Sequence, residues 1–63
     1  MENIGSRIAD LREGKGLTQT DLAKKIKTTQ SAIARLESGR QNISADMLKK
    51  ISRALGKNLI TLS

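Results

Sequence analysis

Apolar side chains recur along this chain at the spacing of helices. Ile4, Ile8 and Leu11 fall at i, i+4 and i+7, one stripe of a helix predicted over Asn3 to Glu13. Gly14 and Gly16 stop that helix, and Leu17 tucks back toward the core. Arg7, Asp10 and Glu13 lie off the stripe and are expected to face solvent. A second helix is predicted from Gln19 to Ile26. Thr18 with Asp21 three residues on makes a capping-box pattern, and Leu22, Ala23 and Ile26 share one face. Lys27-Thr28 reads as a turn, and Thr29 as the N-cap of a third helix. There Ala32, Ile33 and Leu36 point inward, while Gln30, Ser31, Ala34 and Arg35 point out. Ser38-Gly39 ends it, and Arg40-Gln41-Asn42 forms a polar loop with no apolar anchor before Ile43. Ser44 caps a fourth helix, Ala45 to Leu55, closed by Gly56. Its inner face is Met47, Leu48, Ile51, Ala54 and Leu55, with Lys49, Lys50 and Arg53 toward water.

The pattern predicts an all-α fold, a compact bundle of four or five helices. The tail leaves two alternatives open. Leu59-Ile60-Thr61-Leu62 suits a strand, which would need a partner strand from a second chain; one last helical turn capped by Asn58 suits it too.

Composition narrows the chemistry. With 63 residues, the chain is expected to form a single domain, 1–63, with a small core. There is no aromatic residue, so that core must be aliphatic. The absence of Cys removes disulfides, thiolate nucleophiles and Cys-based metal sites, and the absence of His removes the commonest metal ligand and general base. The acids are scattered on helix surfaces, and no Gly-rich phosphate loop or nucleophile–base set is present. The expectation is therefore a non-enzyme without metal or cofactor. No signal peptide or long apolar run is visible, which points to the cytoplasm and away from membranes. The net charge of +6 suits an anionic partner, although basic charge also aids solubility.

The region 19–38 concentrates the functional signal. Two short helices with facing apolar stripes must cross and pack. The outer face of the second then carries side chains that can hydrogen-bond base edges. Gln30 matches the donor–acceptor pair of adenine; Ser31 can serve several bases; Arg35 can fork onto guanine or grip a phosphate. Thr29 can bond a base or simply cap its helix.

Here the residues carry a resemblance. Gln19, Leu22, Ala23, Ile26, Ile33, Leu36, Glu37 and Gly39 match the helix-turn-helix of the lambda-repressor-like family, which holds Cro, the phage repressors and many small bacterial regulators. The wording L-T-Q-x-x-L-A-x-K-I, then T-T-Q-S-x-I, then L-E-S-G carries it, and the likeness runs from about Ile4 to Leu55. It implies base contacts from Thr29, Gln30, Ser31 and Arg35, with the 29–37 helix in the major groove. It implies phosphate contacts from Gln19, Arg12, Ser38, Arg40 and Asn42, with Lys24 and Lys27 as weaker candidates. It also implies a partly buried ion pair between Arg12 and Glu37, joining the first and third helices and holding Arg12 near the DNA backbone. One departure is Lys27, where the family often has Gly; if the turn needs positive φ there, Lys costs on the order of 1 kcal/mol.

These readings converge on a sequence-specific DNA-binding transcriptional regulator. It would act most simply as a repressor, binding double-stranded DNA at a pseudo-palindromic operator as a homodimer. The alternatives are an antitoxin-type component that binds a protein partner (a toxin) as well as DNA, and the N-terminal DNA-binding domain of a longer protein.

Overall fold

A computed structural model describes residues 4–57 of the chain. Among these residues it contains four helices and no strand: α1 (Ile4–Gly14), α2 (Gln19–Lys25), α3 (Gln30–Glu37) and α4 (Ala45–Leu55). The strand or helical turn considered for the tail lies outside the described residues, as does the predicted start of the first helix at Asn3.

The caps show why the helices begin where they do. Thr18 accepts the Asp21 amide at 3.0 Å, and the Asp21 carboxylate accepts the Thr18 amide at 2.9 Å, a reciprocal capping box for α2. The Thr29 hydroxyl accepts from the Ala32 amide at 3.1 Å, and the Ser44 hydroxyl from Met47 at 3.2 Å, each satisfying an amide that the first turn leaves open.

All four helices end in the same way. After α1, the Leu17 amide reaches back to the Arg12 carbonyl and the Gly16 amide to Glu13. After α2, Thr28 reaches Ala23 and Lys27 reaches Lys24; after α3, Arg40 reaches Arg35 and Gly39 reaches Leu36; after α4, Lys57 reaches Ser52 and Gly56 reaches Arg53. This paired pattern is the Schellman motif, and it needs one residue with positive φ. Glycine supplies it at Gly16, Gly39 and Gly56, with φ of 74°, 77° and 67°, whereas Lys27 adopts it at 59°. A side chain with Cβ there is strained by about 1 kcal/mol.

The core is aliphatic throughout. Ile8, Leu22, Ala23, Ile26, Ile33, Leu36, Ile51 and Leu55 are buried, with Leu11, Leu17, Ile43, Met47, Leu48 and Ala54 half-buried around them. Each large member gains roughly 1.5–3 kcal/mol from leaving water. α2 packs on α3, α3 on α1, and α4 leans on α1 and α2. Ile4 heads the predicted stripe of α1 but remains 37% exposed. Its neighbour Gly5 makes the contact instead. A Cβ on Gly5 would run into the backbone carbonyl oxygens of Leu36 and Glu37, so α1 meets the last turn of α3 backbone against backbone.

Candidate nucleic-acid interface

The site grows from the C-terminal end of α1. Arg12 is 8% exposed, and its guanidinium forks onto Glu37: Nε donates to Oε2 at 2.7 Å and Nη2 to Oε1 at 3.2 Å. Nη1 donates to the Leu17 carbonyl at 2.6 Å, tying the α1–α2 loop to the same charge. A longer contact, Nη2 to Glu13 Oε2 at 3.4 Å, lies at the solvent edge. The hydrogen bonds it donates to Glu37 raise the Arg12 pKa above its ordinary value, although desolvation pulls the other way. The guanidinium is thus a fixed charge with four of its five N–H donors engaged.

Glu37 carries the network onward. Gln19, first residue of α2, donates its amide nitrogen to Glu37 Oε1 at 3.0 Å. A carboxylate only accepts, so this bond fixes which way the Gln19 amide points and leaves its oxygen free. That oxygen accepts from Gln30 Nε2 at 2.6 Å. The fold therefore brings Arg12, Glu37, Gln19 and Gln30 into one chain of hydrogen bonds. It runs from a buried cation at the end of α1 to an exposed amide at the start of α3. Gln30 keeps its carbonyl oxygen and one N–H, a donor and an acceptor side by side on one planar group.

The outward face of α3 continues with Ser31 and Arg35, both exposed. Thr29 is exposed as well; its oxygen serves the helix cap, while its hydroxyl hydrogen is not committed to that bond. Past the helix, Ser38, Arg40 and Asn42 line an exposed loop. The Ser38 hydroxyl donates to the Arg35 carbonyl at 3.1 Å, so reaching another acceptor requires it to rotate. Lys24 and Lys27 are exposed on α2 and its turn.

Four features of this geometry escape a reading of the sequence: the Gln19–Glu37 and Gln19–Gln30 bonds, the Arg12 bond to the Leu17 carbonyl, and the approach of Gly5 to α3. Only Gly5 leaves a local signal, as a glycine in the first turn of α1, where Ala would serve better unless something needs the space. Among the described residues, no group of three or more His, Cys, Asp or Glu is placed to hold a metal ion, and no helix is long and apolar enough to cross a membrane.

Comparison with known proteins bears on this arrangement. A family model described as "Helix-turn-helix" matches residues 8–62. Endothelial differentiation-related factor 1 of Homo sapiens is 46% identical over 56 residues, which make up 89% of this chain and 38% of that protein. The chain therefore spans well under half the length of this relative. An uncharacterized HTH-type transcriptional regulator, y4dJ of Sinorhizobium fredii, is 36% identical over 59 residues, covering 94% of this chain and 77% of that one. Among solved structures, the master regulator for biofilm formation SinR, in complex with DNA, superimposes with a TM-score of 0.82 at 34% identity, covering 87% of this chain and 89% of that one. Four helices with these caps, an exposed α3 fastened to α1 and α2, and a family match over most of the sequence identify the chain as a member of the lambda-repressor-like helix-turn-helix family of DNA-binding transcriptional regulators.

Proposed function

We propose that this chain binds a pseudo-palindromic operator as a homodimer, with α3 of each copy in the major groove, and represses by occluding a promoter. In this reading Thr29, Gln30, Ser31 and Arg35 face base edges. Gln19, Ser38, Arg40 and Asn42 grip phosphates on either side of the helix. Arg12 contributes its charge to the phosphate side while its hydrogen bonds hold Glu37. The observation that supports this most is the Gln30–Gln19–Glu37–Arg12 relay, which presents an oriented donor–acceptor amide at the tip of an exposed helix. An amide aimed in advance loses less entropy on meeting a base than a freely rotating one. Dimeric binding rests on discrimination: one short helix reads only a few base pairs, and two copies about one turn of DNA apart multiply its selectivity.

Titrations against a specific and a random duplex over a range of salt test the division of roles. Arg40→Ala should weaken both duplexes alike and flatten the salt slope by about one. Gln30→Ala should weaken only the specific one, by roughly 1–3 kcal/mol. Equal behaviour of the two variants on both duplexes would refute it. A second reading draws support from the 38% span of the human relative: the same unit serves as the DNA-binding part of a larger regulator. Binding a half-site as tightly as a full site, one copy per duplex, would favour that reading over the dimer.

A further inference from the structure

The outward face of α4 takes no part in the site described above. Lys49, Lys50 and Arg53 are exposed along it, and Lys57 is exposed just past its cap. Residues three and four apart lie on one helix surface, so Lys49, Lys50 and Arg53 form a single stripe. The fold adds a cation from far away in sequence: the Lys15 ammonium sits 3.5 Å from where a side chain on Gly56 would begin. Lys15 thus lies against the C-terminal end of α4, where the helix dipole favours positive charge. Asp46, three and four residues before Lys49 and Lys50, is the one acid on this helix and shares the stripe without pairing there. Among the described residues the ion pairs all run through Arg12, and none of these five cations joins one. On one flank the stripe borders Met47 and Ala54, which are only half-buried.

We propose that this face of α4 docks an acidic protein segment that carries apolar side chains among its carboxylates. Concentrated unpaired positive charge selects an anionic partner and steers its approach. The apolar flank decides which kind: a nucleic-acid backbone offers phosphates and sugars there, whereas an acidic peptide with Leu or Ile can cover Met47 and Ala54 and gain from burying them. α4 packs on α1 and α2, while the proposed DNA contacts lie on α3, the loop after it, the start of α2 and, through its charge alone, Arg12 at the end of α1. Docking on α4 therefore stands independently of the DNA reading.

The test is an amide-shift titration of the isotopically labelled chain with a short peptide of Asp and Glu with interspersed Leu. The controls are the same peptide with Asn and Gln for the acids, and an acidic peptide without Leu. The expected result is saturable shifts at Lys15 and across 47–57, with Gln30 to Arg35 unmoved and both controls weaker. Lys50→Gln with Arg53→Gln, at exposed positions that leave the helix intact by circular dichroism, should weaken the acidic peptide about tenfold. The same variant should change binding to a mixed-sequence duplex by no more than about twofold. Shifts centred on α3, absence of saturation, or equal binding of the Leu-free peptide would overturn the proposal. So would an equal loss of duplex and peptide binding, which would make the stripe a phosphate surface. The duplex measurement reads DNA binding separately, so failure of one idea is distinguishable from failure of the other.

Discussion

The C-terminal end of α3 is held by a buried cation and by backbone against backbone; its N-terminal end is held by a threonine cap and one amide contact, both in solvent. The two ends differ in what they can give up. Glu37 is 7% exposed in its side chain and shares its oxygens between Arg12 and Gln19, so it has nothing to offer a ligand. Gln30 and Ser31 are exposed and can exchange water for bases at little cost. A helix that reads DNA needs its axis fixed and its contact atoms exchangeable. Here these requirements are met at opposite ends of eight residues.

The largest effect should come from breaking the dry end. Glu37→Ala strands the Arg12 guanidinium in a protein environment and should cost about 3 kcal/mol of stability. Replacing both partners by apolar residues, Arg12→Met with Glu37→Leu, should cost much less. A double-mutant cycle with Arg12→Ala measures the coupling, and a value near zero would show that the pair does not fasten α3.

Gly5→Ala comes next. Its methyl would meet backbone carbonyls, which cannot step aside as a flexible side chain would, so α1 and α3 must separate. A loss of about 2 kcal/mol in chemical denaturation is expected. A neutral result would mean that the close approach is incidental to the position of α3.

Lys27→Gly should act in the opposite direction. It relieves the positive φ at the end of α2 and should stabilise the fold by up to about 1 kcal/mol, less whatever the freer unfolded chain takes back. A fall in stability would place the cost of that turn elsewhere.

The smallest effect concerns the α2 cap and its pH dependence. The Asp21 pKa lies below its ordinary value, chiefly because the carboxylate accepts the Thr18 amide and then because of its bond with the Thr18 side chain. A carboxyl depressed in the folded state stabilises above its unfolded pKa, and that contribution fades as pH falls through the folded value. Wild type and Asp21→Asn should therefore differ in melting temperature near neutrality and converge in acid. Curves that stay parallel into acid would contradict this role.

How far the sequence alone reaches differs between the same two ends. The N-terminal end was legible because its determinants are local: Thr18 with Asp21, Thr29 before an apolar stripe, and glycine after three of the four helices. These follow from backbone amides that must find partners within a turn. The start of α1 was less so, since Ile4 belongs to the apolar stripe yet stays exposed while Gly5 takes the contact. Spacing gives a face, but not which residue of that face the neighbouring helix approaches. The relay from Arg12 to Gln30 joins residues far apart in sequence, and no local pattern encodes such distances. The Arg12–Glu37 part was reachable only through likeness to a family, and the Gln19–Glu37 and Gln19–Gln30 bonds were not reached at all. The positive φ at Lys27 shows the reverse case, in which departure from the family's usual glycine flagged a strained residue.

The most direct measurement of the central claim, that the exposed end of α3 reads bases while the buried end holds it in place, is selection of bound sequences from random duplex DNA by wild type and Gln30→Ala side by side. The expected result is a palindromic motif from the wild type, with half-sites about one helical turn apart. The variant should return the same motif with its preference lost at one base pair in each half-site. No enriched motif, or identical motifs from the two proteins, would contradict the account.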